Sequence, residues 1–284
     1  MEIKLNNGYI MPMLGLGTFL APEEECYQAV LWALKAGYRH IDTAQNYKNE
    51  AAVGRAIKDS NIKREEIFIT SKLQIKRYGK NNAKKAVLKS IKDLGVDYID
   101  LYLMHWPSQN YAFNLETYQA LEEMVDAGYI RSIGVSNFQI HHLEHLLPYV
   151  KIKPVVNQIE LHPGLNQDAN IKFTIKNDIV ITSYGPFMKG EALKMPYILE
   201  LSLKYKKTPA QICIRFLLDR NIVAIPKSVH EERIKENFDV FDFKLTNEEV
   251  EKILALNIAK RVYMDPDNRP GVLEEELPYF PEEF

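Results

Sequence analysis

Asp42, Tyr47, Lys72 and His105 are polar residues that each fall where an apolar run gives way to a loop. A phenol, with an ordinary pKa of about 10, is a poor acid at neutral pH. A lysine ammonium beside it stabilises the phenolate and makes the proton easier to give away. An aspartate holds that lysine charged and in position, and a histidine orients the group being protonated or relays a proton. Such a set suits protonation of a carbonyl oxygen while a hydride arrives at its carbon. Read singly, Asp42 is a helix cap and Lys72 a solvated strand end. Four such residues at adjacent strand ends point to one site.

The elements that must position them alternate. Ile3–Leu5 and Tyr9–Ile10 flank Asn6-Asn7-Gly8 and read as a short hairpin over the front of the chain. Strands follow at Leu14–Gly17, His40–Asp42, Ile67–Ser71, Ile99–Met104, Ile130–Val135, Val155–Ile159, Ile179–Ser183 and Ile222–Ile225. Helical patterns separate them, at Glu23–Ala36, Glu50–Lys58, Asn82–Leu94, Leu115–Ala127, Ile140–Leu147, Gln167–Asn177, Pro196–Tyr205 with Pro209–Asp219, and Glu231–Phe238. A last helix starts near Thr246, which Glu249 completes as a capping box. The tail after Ala259 reads as a loop.

Continuous apolar strands, each followed by a helix, predict an α/β fold: a (β/α)8 TIM barrel with a hairpin cap and a C-terminal loop tail, one domain over residues 1–284. A doubly wound sheet shares the alternation but calls for a Gly-rich turn after its first strand. Gly15-Leu16-Gly17 lacks the third glycine, and Glu23-Glu24-Glu25 at the next helix start would repel a pyrophosphate. In a barrel, Asp42, Lys72 and His105 end strands two, three and four, with Tyr47 in the loop after the second. Neighbouring strand ends lie about 5 Å apart, so the four side chains converge.

Lys and Arg total 36 against 38 Asp and Glu, a net charge of -2 with no long like-charge block, which argues against nucleic-acid and membrane-surface roles. Cys26 and Cys213 are far apart in helical patterns and read as buried thiols in a reducing compartment. With no signal-peptide pattern and no spanning segment, the expectation is a cytoplasmic monomer.

Residues 37–50, Gly-Tyr-Arg-His-Ile-Asp-Thr-Ala-Gln-Asn-Tyr-Lys-Asn-Glu, resemble the signature of the aldo-keto reductases. Thr70-Ser71-Lys72-Leu73, Leu103-Met104-His105-Trp106-Pro107, Gly134-Val135-Ser136-Asn137-Phe138, and Ile225-Pro226-Lys227-Ser228 with Arg233 and Asn237 resemble further segments in the family's order. The likeness runs from about Leu14 to about Asn268, and by overall look is nearest to a bacterial and protozoan branch that includes 2,5-diketo-gluconate reductases, methylglyoxal reductases and prostaglandin F synthases. It implies a barrel that reduces carbonyls with NADPH, with Tyr47 as general acid and Asp42, Lys72 and His105 in support. The cofactor set that goes with it is Gly17, Thr18, Asp42, Ser136, Asn137, Gln158, Tyr184, Gly185, Lys227, Ser228, Arg233 and Asn237.

The residues support that set physically. Ser136, Asn137 and Gln158 end strands five and six and offer hydrogen bonds to a carboxamide, while the Tyr184 ring offers a face to a nicotinamide. Gly185-Pro186 allows close passage of the chain at a pyrophosphate. Lys227, Ser228 and Arg233 at a helix start suit the extra phosphate that distinguishes NADP from NAD. A surface pairing of Lys227 and Arg233 with Glu231, Glu232 or Glu236 is the competing reading. Phe19, Trp106, Gln74 and the segment Tyr263–Asn268 would wall the substrate pocket above Tyr47 and His105. Family members often carry an aromatic residue where Gln74 stands, and a different pattern at Gly185-Pro186-Phe187.

Two rivals remain at this level. An NADPH-binding regulatory subunit would keep the phosphate seat with little turnover. A metal-dependent barrel hydrolase needs several His and carboxylate ligands at strand ends, and only Asp42 and His105 qualify. His141, His142 and His145 lie on a helix and read as a solvated face, so no metal is expected.

Overall fold

The computed structural model describes residues 1–268; the rest of the expected C-terminal tail lies outside the described residues. The chain opens with an antiparallel hairpin, β1 (Glu2–Lys4) and β2 (Ile10–Pro12). The barrel strands follow: β3 (Leu16–Gly17), β4 (His40–Asp42), β5 (Phe68–Leu73), β6 (Leu101–Met104), β7 (Ile133–Ser136), β8 (Val156–Glu160), β9 (Val180–Tyr184) and β10 (Val223–Ala224). They pair in parallel in sequence order from β3 to β10.

The ring closes where the first strand proved shorter than expected. Met13 and Gly15 spend backbone groups on β10, with Gly15 N–H to Ala224 O at 2.9 Å and Ala224 N–H to Met13 O at 2.9 Å. Parallel bridges Leu14–Ala224 and Gly17–Lys227 complete the seam. Gly17 is required there: a Cβ would stand 2.8 Å from the Ile225 carbonyl oxygen, which is backbone and cannot yield.

The hairpin covers the N-terminal floor of the barrel. Asn6 Nδ2 donates to Pro154 O at 2.9 Å and Asp178 O at 3.0 Å, and Asn7 Nδ2 donates to Ser132 Oγ at 2.9 Å. Those partners stand just ahead of β8, β9 and β7. The cap therefore lies at the opposite end from the strand C-termini, and leaves the mouth open.

The outer layer comprises α1 (Glu23–Ala36), α2 (Glu50–Asp59), α3 (Lys80–Leu94), α4 (Tyr111–Asp126), α5 (Ile140–Leu146), α6 (Asp168–Lys176), α7 (Pro196–Tyr205), α8 (Pro209–Leu218), α9 (Glu231–Phe238) and α10 (Asn247–Leu254). Their starts follow local chemistry. Thr208 and Gln211 form a capping box ahead of Pro209, and Thr246 with Glu249 forms the one expected for α10. Helix α4 begins four residues before the expected Leu115 because the Asn110 side chain accepts the Phe113 N–H. The core between strands and helices is aliphatic, with Ile41, Ile69, Leu101, Val135, Ile181 and Val223 all buried. Among the described residues no helix is long and apolar enough to cross a membrane.

Candidate active site

Period-two alternation decides which side chains of each strand face the barrel axis, and the strand ends decide which of those reach the mouth. Asp42 ends β4, Lys72 is the penultimate residue of β5, and His105 directly follows β6. Tyr47 closes a short helical turn, Gln45–Tyr47, in the loop after β4. The four converge. Lys72 Nζ donates to Asp42 Oδ1 at 2.5 Å, to Thr43 O at 2.9 Å and to Tyr47 Oη at 3.4 Å. The Tyr47 ring lies edge-on to His105, with centroids 5.7 Å apart.

Three acceptors around one nitrogen match the three protons of an ammonium, so the geometry is that of a charged lysine. Lys72 is fully buried, which rules out the solvated strand end its type alone suggests. Burial pushes its pKa below the ordinary lysine value, and the Asp42 charge opposes that fall. Burial likewise raises Asp42, opposed by Lys72 and by the Gln158 amide, whose Nε2 donates to Asp42 Oδ2 at 2.8 Å.

Tyr47 departs from the expectation. Its pKa lies well above the ordinary tyrosine value, first because burial penalises a phenolate and then because Asp42, Tyr184 and Tyr263 add negative potential. The pairing with Lys72 does not overcome burial and the neighbouring negative charge. The site keeps Tyr47 protonated, and Lys72 occupies a lone pair on its oxygen.

Ser136, Asn137 and Gln158 are brought together but are mutually bonded. Ser136 Oγ donates to Gln158 O at 3.0 Å, Asn137 Nδ2 donates to His105 O at 2.9 Å, and Tyr184 Oη donates to Asn137 Oδ1 at 2.7 Å. They brace Asp42 and His105 as well as lining the mouth. Gln158 Oε1 takes no part in these bonds and remains an acceptor. Gly185 follows with φ +64, a conformation glycine adopts without strain. Thr18 donates both its N–H and its hydroxyl to Asp42 O at 3.0 Å, tying the end of β3 to β4.

At the far rim, Lys227 and Arg233 are exposed and flank the start of α9, while Ser228 and Asn237 are buried. The surface pairing weighed for them goes to another residue: Lys235 bonds Glu231 at 2.9 Å, and among the described residues Lys227 and Arg233 form no ion pair. Two unpaired cations beside a helix N-terminus fit a phosphate group, and the flat Tyr184 ring with its neighbouring amides fits a nicotinamide amide.

Phe19 packs on Tyr47 with centroids 5.1 Å apart, and Trp106 stacks beside His105 at 6.5 Å, giving the mouth an aromatic rim. Gln74 lines a side cavity of 330 Å³ with Gln45, Lys48, Glu50 and Arg77. Tyr263 stands edge-on to Tyr184 at 5.3 Å.

Asn49 was not singled out from the sequence, although it is nearly fully buried and binds two loops. It accepts from Thr43 Oγ1 at 2.8 Å and donates to Thr18 O at 3.0 Å and Ala21 O at 3.1 Å, so it couples the loop of Phe19 to the loop of Tyr47. It stands two residues after Tyr47 at the start of α2 but makes no cap bond there. The solvated histidine face is also corrected. His142 is buried, and Asp267 lies 3.1 Å from His141 Nε2 and 3.8 Å from His142 Nε2. His142 Nδ1 accepts the Gln139 N–H at 3.1 Å, which leaves the ring proton on Nε2 and that nitrogen without a lone pair for a metal.

The sequence pattern of the Aldo/keto reductase family matches residues 13–258. The methylglyoxal reductase DkgA of Escherichia coli K12 is 46% identical over 271 residues, covering 95% of this chain and 98% of that protein. An aldo-keto reductase from a Medee basin deep-sea metagenome library superposes with a TM-score of 0.93 at 46% identity, over 95% of this chain and all of the other. The Bombyx mori aldo-keto reductase solved with NADP gives 0.89 at 38% identity, over 94% and 96% of the two chains. The chain belongs to the aldo/keto reductase family. It is an oxidoreductase that reduces aldehyde and ketone groups with NADPH.

Proposed function

We propose that this reductase acts on small 2-oxoaldehydes of the methylglyoxal type and that Tyr47 is its general acid. The observation that carries the assignment is the donor count at Lys72: its third N–H goes to Tyr47 Oη, so the tyrosine proton is left to point at a ligand in the mouth. Burial keeps that proton in place until a carbonyl oxygen develops negative charge beside it. As it leaves, the ammonium 3.4 Å away stabilises the phenolate that forms. Asp42 holds Lys72, and His105 orients the carbonyl. Lys227, Ser228, Arg233 and Asn237 would hold the adenosine end of NADPH, with Gly17, Thr18, Gln158, Tyr184 and Gly185 along the rest. When bound, the cofactor supplies the hydride.

The aromatic rim of Phe19 and Trp106 suits a compact substrate, and the DkgA relative acts on methylglyoxal by name. We place the protein in the cytoplasm as a monomeric single catalytic domain; two buried cysteines that are not bonded to one another support the reducing compartment. Replacing Tyr47 by Phe removes the proton and little else. Methylglyoxal reduction by Y47F should fall about a hundred- to ten-thousandfold in kcat with NADPH binding retained. Wild-type turnover in that variant would refute the assignment.

A further inference from the structure

One buried carboxylate at the mouth has no part in the tetrad. Glu160 ends β8, two residues beyond Gln158, so its side chain leaves the strand on the same face as the Gln158 amide that braces Asp42. It is fully buried, and so is His162, whose Nε2 lies 3.0 Å from Glu160 Oε1. The same Oε1 accepts the backbone N–H of Val262 at 2.7 Å, across 102 residues of sequence. Arg261 Nη1 stands 4.0 Å from Oε2.

These bonds seize the C-terminal loop just before Tyr263. Behind them, Ile258 N–H and Lys260 N–H both donate to Gly164 O at 3.2 Å, so the loop crosses the rim as a strap anchored on the segment after β8. The Tyr263 ring then rests on Gly185, where a Cβ would come within 2.5 Å of it, and stands edge-on to Tyr184. Burial raises the pKa of both Tyr184 and Tyr263, and the nearby Glu160 adds to each shift.

We propose that Glu160 is a positioning residue: by accepting the Val262 N–H it fixes the strap so that Tyr263 forms a wall of the carbonyl pocket against Tyr184 and Gly185. Glu160 touches neither substrate nor reacting atoms and acts through Tyr263. This rests on the assignment of Tyr47 as the acid in the same mouth. Phenylglyoxal, a larger 2-oxoaldehyde than methylglyoxal, is the probe.

Glu160→Ala deletes the acceptor, and the KM for phenylglyoxal should rise about tenfold, the size of one lost bond to a charged acceptor. The kcat should stay within about threefold, since uniform binding is what is lost. Glu160→Gln keeps an oxygen for Val262 and should restore KM. Tyr263→Ala should raise KM by a similar factor, and the Glu160→Ala/Tyr263→Ala double variant should be no worse than Tyr263→Ala alone. Val262→Pro removes the same bond from the strap side and must reproduce the rise; it decides the question alone if Glu160→Ala does not fold. A wild-type KM in both Glu160→Ala and Val262→Pro overturns the proposal, as does full additivity in the double variant. The Tyr47 assignment fails separately, by turnover surviving in Y47F.

Discussion

Replacing Lys72 by Met keeps the reach of the side chain and deletes its charge. Asp42 is 2% exposed and Lys72 fully buried, so the change strands a carboxylate away from water. Asp42 Oδ2 keeps the Gln158 amide, while Oδ1 loses its partner at 2.5 Å. Breaking a buried pair from one side costs about 3–5 kcal/mol. In a chain of this size each kcal/mol moves Tm by roughly 2–4 °C, so K72M should melt roughly 6–20 °C below wild type. Adding Asp42→Asn removes the stranded charge and should recover most of that loss. Activity behaves differently: Tyr47 loses the ammonium that stabilises its phenolate, and kcat should fall about a hundred- to a thousandfold in K72M. The second substitution does not restore it. Calorimetry and initial rates of NADPH oxidation measure the two effects side by side. If the double variant melts no higher than K72M, the pair is not an ionised one. If K72M keeps kcat within about threefold, Lys72 has no part in the proton transfer.

Arg233→Ala should raise the KM for NADPH about ten- to a hundredfold and leave that for NADH nearly unchanged, because only NADPH carries the extra phosphate; equal changes for both would move the phosphate seat elsewhere. Acid should destabilise the fold through His40, which is fully buried and whose imidazole burial pushes down from 6.5 to about 3. Below about pH 6.5 the unfolded chain takes up a proton that the folded chain refuses. The His40 contribution is therefore complete above about pH 6.5 and is lost as pH falls toward about 3, on the order of 5 kcal/mol in all. Urea midpoints across that window should slope less in His40→Asn than in wild type, and an unchanged slope would exclude His40 as the source.

The order of strands and helices was legible because each barrel strand is an apolar run and several helices carry a stop or start signal, such as Gly37 after α1 and the Thr246–Glu249 box at α10. The ends of the elements were less so. Leu14 reads as strand, and only the closing seam with Ala224 shows why it pairs outside β3. Likewise α4 starts early through one Asn110 side chain that sequence pattern does not weigh.

The chemical types at the site were decided by the sequence alone. Asp42, Tyr47, Lys72 and His105 sit where apolar runs end, and in a parallel barrel all such ends open on one face. Tertiary structure decided how those groups behave. Burial depends on residues far along the chain, so it alone makes Lys72 a buried ammonium and holds Tyr47 above its ordinary pKa, against the simple pairing argument. It also set Ser136, Asn137 and Gln158 to bracing one another, gave Asn49 two loops to join, and brought Asp267 to the histidines. The tie from Glu160 to Val262 spans 102 residues. No local period encodes a contact of that separation; it exists because the closed barrel brings the segment after α10 back to its own mouth.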